Sequence, residues 1–125
     1  MALNLFQKVD LFDQNLPLAQ ARTIPSLWYF DAEICAAERI SVFATTWQLI
    51  GRLDQLTEPG SFLTEEVAGE PILVVRDQER TLRAFFNVCR HRAARVAHEP
   101  AGKVSRLRCR YHGWTYDLAG RLRGN

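Results

Sequence analysis

Two short segments decide most of what this chain can become. Cys89-Arg90-His91 and Cys109-Arg110-Tyr111-His112 each join one cysteine to one histidine, with seventeen residues between them. A thiolate and an imidazole from each segment suit a metal, so the fold has to bring two separated loops to one place. Two donor sets fit: a zinc ion, or an iron–sulfur cluster in which two histidines replace two cysteines on one iron. Structural zinc loops usually leave two to four residues between ligands, which bends the chain round one ion. Cys-x-His leaves a single residue. In extended backbone, residues i and i+2 point the same way about 6–7 Å apart. That span is long for one ion and better matched to the two irons of a cluster, each loop giving its cysteine to one iron and its histidine to the other.

The chain around these loops reads as mostly β, a small antiparallel sandwich or barrel preceded by a helical arm. Residues 1–44 form the arm, with Pro17 and Pro25 as breakers. Asp31 is placed to cap a helix starting near Ala32, on which Ile34, Ala37, Ile40 and Ala44 share one face. Cys35 in that helix reads as a small buried apolar residue. From residue 45 to 125 the texture turns β-branched and aromatic. Strands are expected at Thr46–Ile50, Phe62–Val67, Ile72–Arg76, Leu82–Val88, Val104–Arg108, Trp114–Leu118 and Arg121–Arg123. Turns fall at Glu58-Pro59-Gly60, Ala68-Gly69-Glu70-Pro71, Asp77–Arg80 and Ala119-Gly120. No internal repeat stands out.

Three cysteines without a secretion signal argue against a disulfide framework and for a cytoplasmic address. No apolar run is long enough to span a membrane. Charge is uneven. Residues 1–79 hold five Lys/Arg against twelve Asp/Glu, and residues 80–125 hold eleven against two. A basic block of this kind implies an acidic partner, or a basic surface balanced by the acidic part of the same fold. Arg90, Arg92, Arg95 and Arg110 lie within a few residues of the four donors, so at least some of them are expected to surround the exposed edge of the site. A nucleic-acid partner is disfavoured, because no nucleic-acid motif accompanies the arginines.

Asn87-Val88-Cys89-Arg90-His91-Arg92, followed by Cys109-Arg110-Tyr111-His112-Gly113-Trp114, resembles the Rieske signature Cys-x-His … Cys-x-x-His. More narrowly it is similar to the N-terminal part of the large subunit of Rieske non-haem iron oxygenases, the ring-hydroxylating family. Trp47-Gln48-Leu49-Ile50-Gly51, the Gly69-Glu70-Pro71 hairpin and Tyr111–Asp117 match the same texture. The resemblance implies a Rieske 2Fe–2S cluster held by Cys89, His91, Cys109 and His112, with the histidines exposed at a domain tip. Arg92, Tyr111, Gly113 and Trp114 would surround it. It further implies an NAD(P)H-dependent reductase or ferredoxin as electron donor, and a homo-oligomer for the complete protein. In that family a second domain carries a mononuclear non-haem Fe(II) where oxygen is activated. This chain has no counterpart for it, so no catalytic residue is assigned and a shortened oxygenase, inactive in hydroxylation by itself, is expected. A soluble Rieske-type ferredoxin and a zinc module on the same four residues are the alternatives. The sequence departs from the family at two places, Arg90 where proline is frequent and Ala93 where glycine is frequent. If the latter position needs a positive φ, alanine strains the loop by roughly 1 kcal/mol.

Overall fold

In the computed structural model, which describes residues 3–125, Asp31 does cap a helix. Its carboxylate accepts from the backbone N–H groups of Glu33 (3.0 Å) and Ile34 (3.2 Å), two donors that a helix start leaves unpaired. Helix α2 (Ala32–Glu38) follows a one-turn helix, α1 (Leu5–Val9), and Lys8 of α1 reaches both Asp31 and Glu33 at 2.7 Å. Ile34 is the buried residue of α2. The expected apolar face does not persist. Arg39–Phe43 is a π-turn, closed by Ala44 N–H donating to Arg39 C=O at 3.0 Å. A wider turn takes in an extra residue and throws later positions out of the 3.6-residue phase. Ile40 is accordingly 73% exposed, and Ala44 is exposed as well. Cys35 is exposed rather than buried, because a helix of two turns turns only one narrow stripe inward. Thr46–Ile50 forms no strand and belongs to neither sheet. The chain divides into two units, one ending at Trp47 and the other beginning at Gln48.

The second unit holds two antiparallel sheets. The first has strands β1 (Ser61–Val67), β2 (Glu70–Arg76), β3 (Leu82–Phe86) and β4 (Ala101–Lys103) in the order β3-β2-β1-β4. The second has β5 (Leu107–Arg108), β6 (Thr115–Tyr116) and β7 (Leu122–Gly124) in sequence order. β1 and β2 meet through a two-residue turn, Ala68 and Gly69, both at positive φ (53° and 86°), the geometry that matches strand twist in tight hairpins. Glu70 and Pro71 belong to β2 rather than to the turn. The run Val104–Arg108 is broken because the chain changes sheets there: β4 pairs with β1, whereas β5 pairs with β6.

Two other hairpins share one construction. Asp77 and Asp117 each donate their N–H to the carbonyl four residues on and accept at their own carbonyl from the N–H three residues on. In each, one carboxylate oxygen takes the N–H groups two and four residues later. The other oxygen takes the Nε of the arginine six residues later, Arg83 at 2.9 Å and Arg123 at 2.9 Å. The residue at the fourth place is left-handed in both, Arg80 at 62° and Gly120 at 84°.

Burial follows strand periodicity on β2, where Leu73 and Val75 point inward and Ile72 and Val74 are half-buried. Phe62, Leu73 and Val75 from the first sheet meet Leu107 and Tyr116 from the second and Leu118 from the turn between β6 and β7. Cys89 and Cys109 lie within this core.

Candidate metal centre

Loop 1 (residues 89–94) and loop 2 (residues 109–114) fold the same way. Cys89 N–H donates to Ala94 C=O (2.8 Å), and Ala93 N–H donates back to Cys89 C=O (2.9 Å). In loop 2, Cys109 N–H donates to Trp114 C=O (2.9 Å), and Gly113 N–H to Cys109 C=O (3.0 Å). Both loops close through a left-handed residue, Ala93 at φ 55° and Gly113 at φ 80°. Asn87, buried at the base of loop 1, fixes its return. The Asn87 amide donates to Ala97 C=O at 2.7 Å and accepts from the N–H groups of Val96 (3.2 Å) and Ala97 (2.9 Å).

The four donors sort by burial. Cys89 and Cys109 are each 2% exposed, whereas His91 and His112 face solvent. The two imidazole rings lie 4.7 Å apart between centroids. Trp114 stacks on His91 at 4.9 Å with the planes only 7° apart, and Tyr111 leans on His112 at 3.8 Å. Each imidazole thus has one aromatic wall. Gly113 supplies the turn of loop 2, and Arg92 contributes its backbone N–H toward the Cys89 sulfur.

Electrostatics favour metal-ready sulfur. Burial pushes the Cys89 thiol up. The Tyr116 hydroxyl at 3.3 Å, the N–H groups of His91 and Arg92 and the neighbouring Cys109 thiol act the other way and hold it below the ordinary thiol value. Thiolate is the form that binds metal. Tyr116 shifts upward, through burial first and its bond to Cys89 second, so its proton stays available to the sulfur. The Tyr116 oxygen also accepts from Arg90 N–H at 3.1 Å, which ties β6 to loop 1.

Sequence reasoning missed Tyr116 and Asn87. The signal available was that a buried phenol or amide has to find a partner. His98, the third histidine, is exposed and lines a separate cleft. Of the four arginines expected around the site, Arg95 pairs with Glu66 (3.2 Å) and Arg110 with Glu99 (3.5 Å), so these two are partly committed elsewhere. Among the described residues, no three of His, Cys, Asp and Glu gather as one metal ion needs. A donor set of two buried sulfurs and two outer imidazoles fits a two-iron cluster, with two protein ligands to each iron.

The model of the Rieske [2Fe-2S] domain matches residues 46–125. The chain belongs to this family. A Rieske domain carries a 2Fe–2S cluster and serves electron transfer. The Rieske chain is 40% identical over 100 residues to the glycine betaine monooxygenase oxygenase subunit of Chromohalobacter salexigens, a match covering 80% of this chain and 22% of that protein. It is 38% identical over 112 residues to the chlorobenzene dioxygenase subunit alpha of a Cupriavidus species, covering 90% and 24%. The crystal structure of the quaternary ammonium Rieske monooxygenase CntA in complex with gamma-butyrobetaine superposes with a TM-score of 0.79 at 33% identity, covering 84% of this chain and 30% of that one. The Rieske chain therefore spans less than a third of the length of each of these relatives. Among the described residues no helix is long and apolar enough to cross a membrane.

Proposed function

We propose that this chain is the electron-transfer part of a Rieske oxygenase, with Cys89 and Cys109 on one iron and His91 and His112 on the other. The observation that carries the assignment is the sorting of the donors: sulfurs inside the core, imidazoles outside it, on two loops closed by the same pair of backbone hydrogen bonds. When bound, the cluster takes up and releases one electron at a time, at a potential in the range of about −150 to +300 mV. The chain's own residues do the rest. Tyr116 and the loop N–H groups stabilise sulfur charge, Trp114 and Tyr111 wall the imidazoles, and Asn87 holds loop 1 closed. Zinc is the weaker alternative, because a single ion needs its ligands around one point and these four are spread in two pairs.

Electrons arrive from an NAD(P)H-dependent reductase or a ferredoxin and leave to a mononuclear iron elsewhere in the complete, homo-oligomeric oxygenase. Quaternary ammonium compounds and aromatic rings are the substrate classes supported by the relatives. With two of three histidines at the cluster, one remains here, which is one short of a two-histidine, one-carboxylate iron site. The test is iron and sulfide content with visible and EPR spectra. Cys89→Ser and Cys109→Ser abolish the cluster, and Cys35→Ser leaves it intact. Equal iron loss in the Cys35 variant, or stoichiometric zinc in the parent, removes the assignment.

A further inference from the structure

A cavity of about 630 Å³ lies in the second unit, and neither His91 nor His112 lines it. Leu73 and Phe85 of the first sheet, Leu107 and Tyr116 of the second, and Val88 and Val96 on either side of loop 1 form its walls. Leu73, Leu107 and Tyr116 belong to the core, so that side of the cavity is fixed. Phe85 is held as well. Its ring lies against the backbone of Gly120, where a β-carbon would come within 2.7 Å of it. Ala84 and Phe86, both exposed on the edge strand β3, mark the mouth. Water is held in such a space only by polar partners. The Tyr116 hydroxyl is one candidate, but it is already bonded to Cys89 Sγ (3.3 Å) and to Arg90 N–H (3.1 Å). Arg90 is the one charged residue in the wall, and no carboxylate lines the cavity. The Arg90 side chain is exposed and, among the described residues, makes no hydrogen bond or ion pair.

We propose that this cavity binds a medium-chain fatty acid, with the alkyl chain between the sheets and the carboxylate on Arg90. A concave apolar space with very few polar groups is the usual form of a small-molecule site. The chain gains by leaving water, and the poorly held water it displaces loses little. The head is chosen by charge. A guanidinium presents a planar fork of donors that matches a carboxylate, and Arg90 has no acidic neighbour in the wall to compete for it. A cationic head meets the like charge of Arg90 with nothing to offset it. A neutral head forgoes the ion pair. Binding is non-covalent and does not depend on the electron-transfer reading above. An occupant lies against Tyr116, one side chain away from the Cys89 sulfur that this hydroxyl reaches.

The test is isothermal titration calorimetry of the whole chain with sodium decanoate, which should fill a single site. Octanoate, shorter by two methylenes, binds roughly tenfold more weakly. Decanamide and decyltrimethylammonium keep the chain without the negative charge, and each binds about fivefold more weakly or worse. Arg90→Gln weakens decanoate about fivefold or more. Arg92→Gln removes the same charge from another exposed arginine, one outside the cavity wall, and changes binding less than about twofold. Ala84→Phe sets a ring in the mouth and weakens decanoate roughly tenfold or more, as the loss of two or more buried methylenes would. Ala84→Ser keeps the mouth open and binds as the parent does, which separates blockage from a folding defect. Equal affinity for decanoate and decanamide overturns the proposal, as does equal weakening by Arg90→Gln and Arg92→Gln. Unchanged binding in Ala84→Phe overturns it too. So does an affinity that falls as protein concentration rises, which would place a second copy of the chain in the cavity.

Discussion

Ala93 and Gly113 occupy the same place in loops of the same shape, and only one of them suits it. At φ 55° the Cβ of alanine crowds its own backbone, whereas glycine at φ 80° meets no such penalty. Ala93→Gly should raise unfolding free energy by up to about 1 kcal/mol, strain relief exceeding the added chain entropy. Gly113→Ala should lower it by about 1–2 kcal/mol through φ alone, since the new methyl would sit 3.6 Å from Arg108, an ordinary contact. Urea denaturation of the two variants checks both signs; a destabilised Ala93→Gly would mean that the methyl packs usefully. The four sulfur and nitrogen donors were legible in the sequence because each pair lies within four residues. Tyr116 and Asn87 were not, because their partners are 27 and 10 residues away and only the folded chain introduces them.

At the scale of elements, the twin aspartate turns set an acid limit on stability. Burial pushes the Asp117 carboxyl up, but the N–H of Arg121 and the guanidinium groups of Arg121 and Arg123 overrule it, taking it from 3.8 to about 2. Asp77 is lowered as well, against the same burial, by Arg83 and the N–H groups of Thr81 and Glu79. Between about pH 2 and pH 3.8 the unfolded chain binds more protons at Asp117 than the folded one, so stability rises with pH. The contribution is complete above that window and lost as pH falls through it. Asp117→Asn should flatten this part of the stability–pH curve, read from denaturation midpoints at a series of pH values. An unchanged slope would mean that the arginines do not hold the charge. The two turns are written as Asp77-Gln-Glu-Arg-Thr-Leu-Arg83 and Asp117-Leu-Ala-Gly-Arg-Leu-Arg123. Only the first, sixth and seventh places share a residue, so the likeness lies more in the hydrogen bonds than in the letters. The strands of the first hairpin were legible from alternation. Thr46–Ile50 has the composition of a strand but joins neither sheet, and composition does not decide sheet membership.

For the whole molecule, holding a redox centre and activating oxygen are separable. A Rieske domain serves electron transfer, while hydroxylation needs an iron with open positions beside a substrate. Purified chain, supplied with NADH and a reductase, should consume no oxygen in step with product across aromatic and quaternary ammonium substrates. Coupled product would show a second metal site within these 125 residues. Fold class was readable because alternation and turn residues recur along the second unit. Its internal seam, where the chain leaves one sheet for the other between β4 and β5, was not, since a strand's pattern does not name its partner. The sorting of sulfur inward and imidazole outward has a further consequence for how such a centre is wired. In the proposed centre, apolar side chains around Cys89 and Cys109 would act as insulation, with the histidine rings as the bare contacts at the end of the lead. Anything laid over His91 and His112, whether a subunit, a domain or a small molecule, therefore controls the current through both terminals without touching a sulfur.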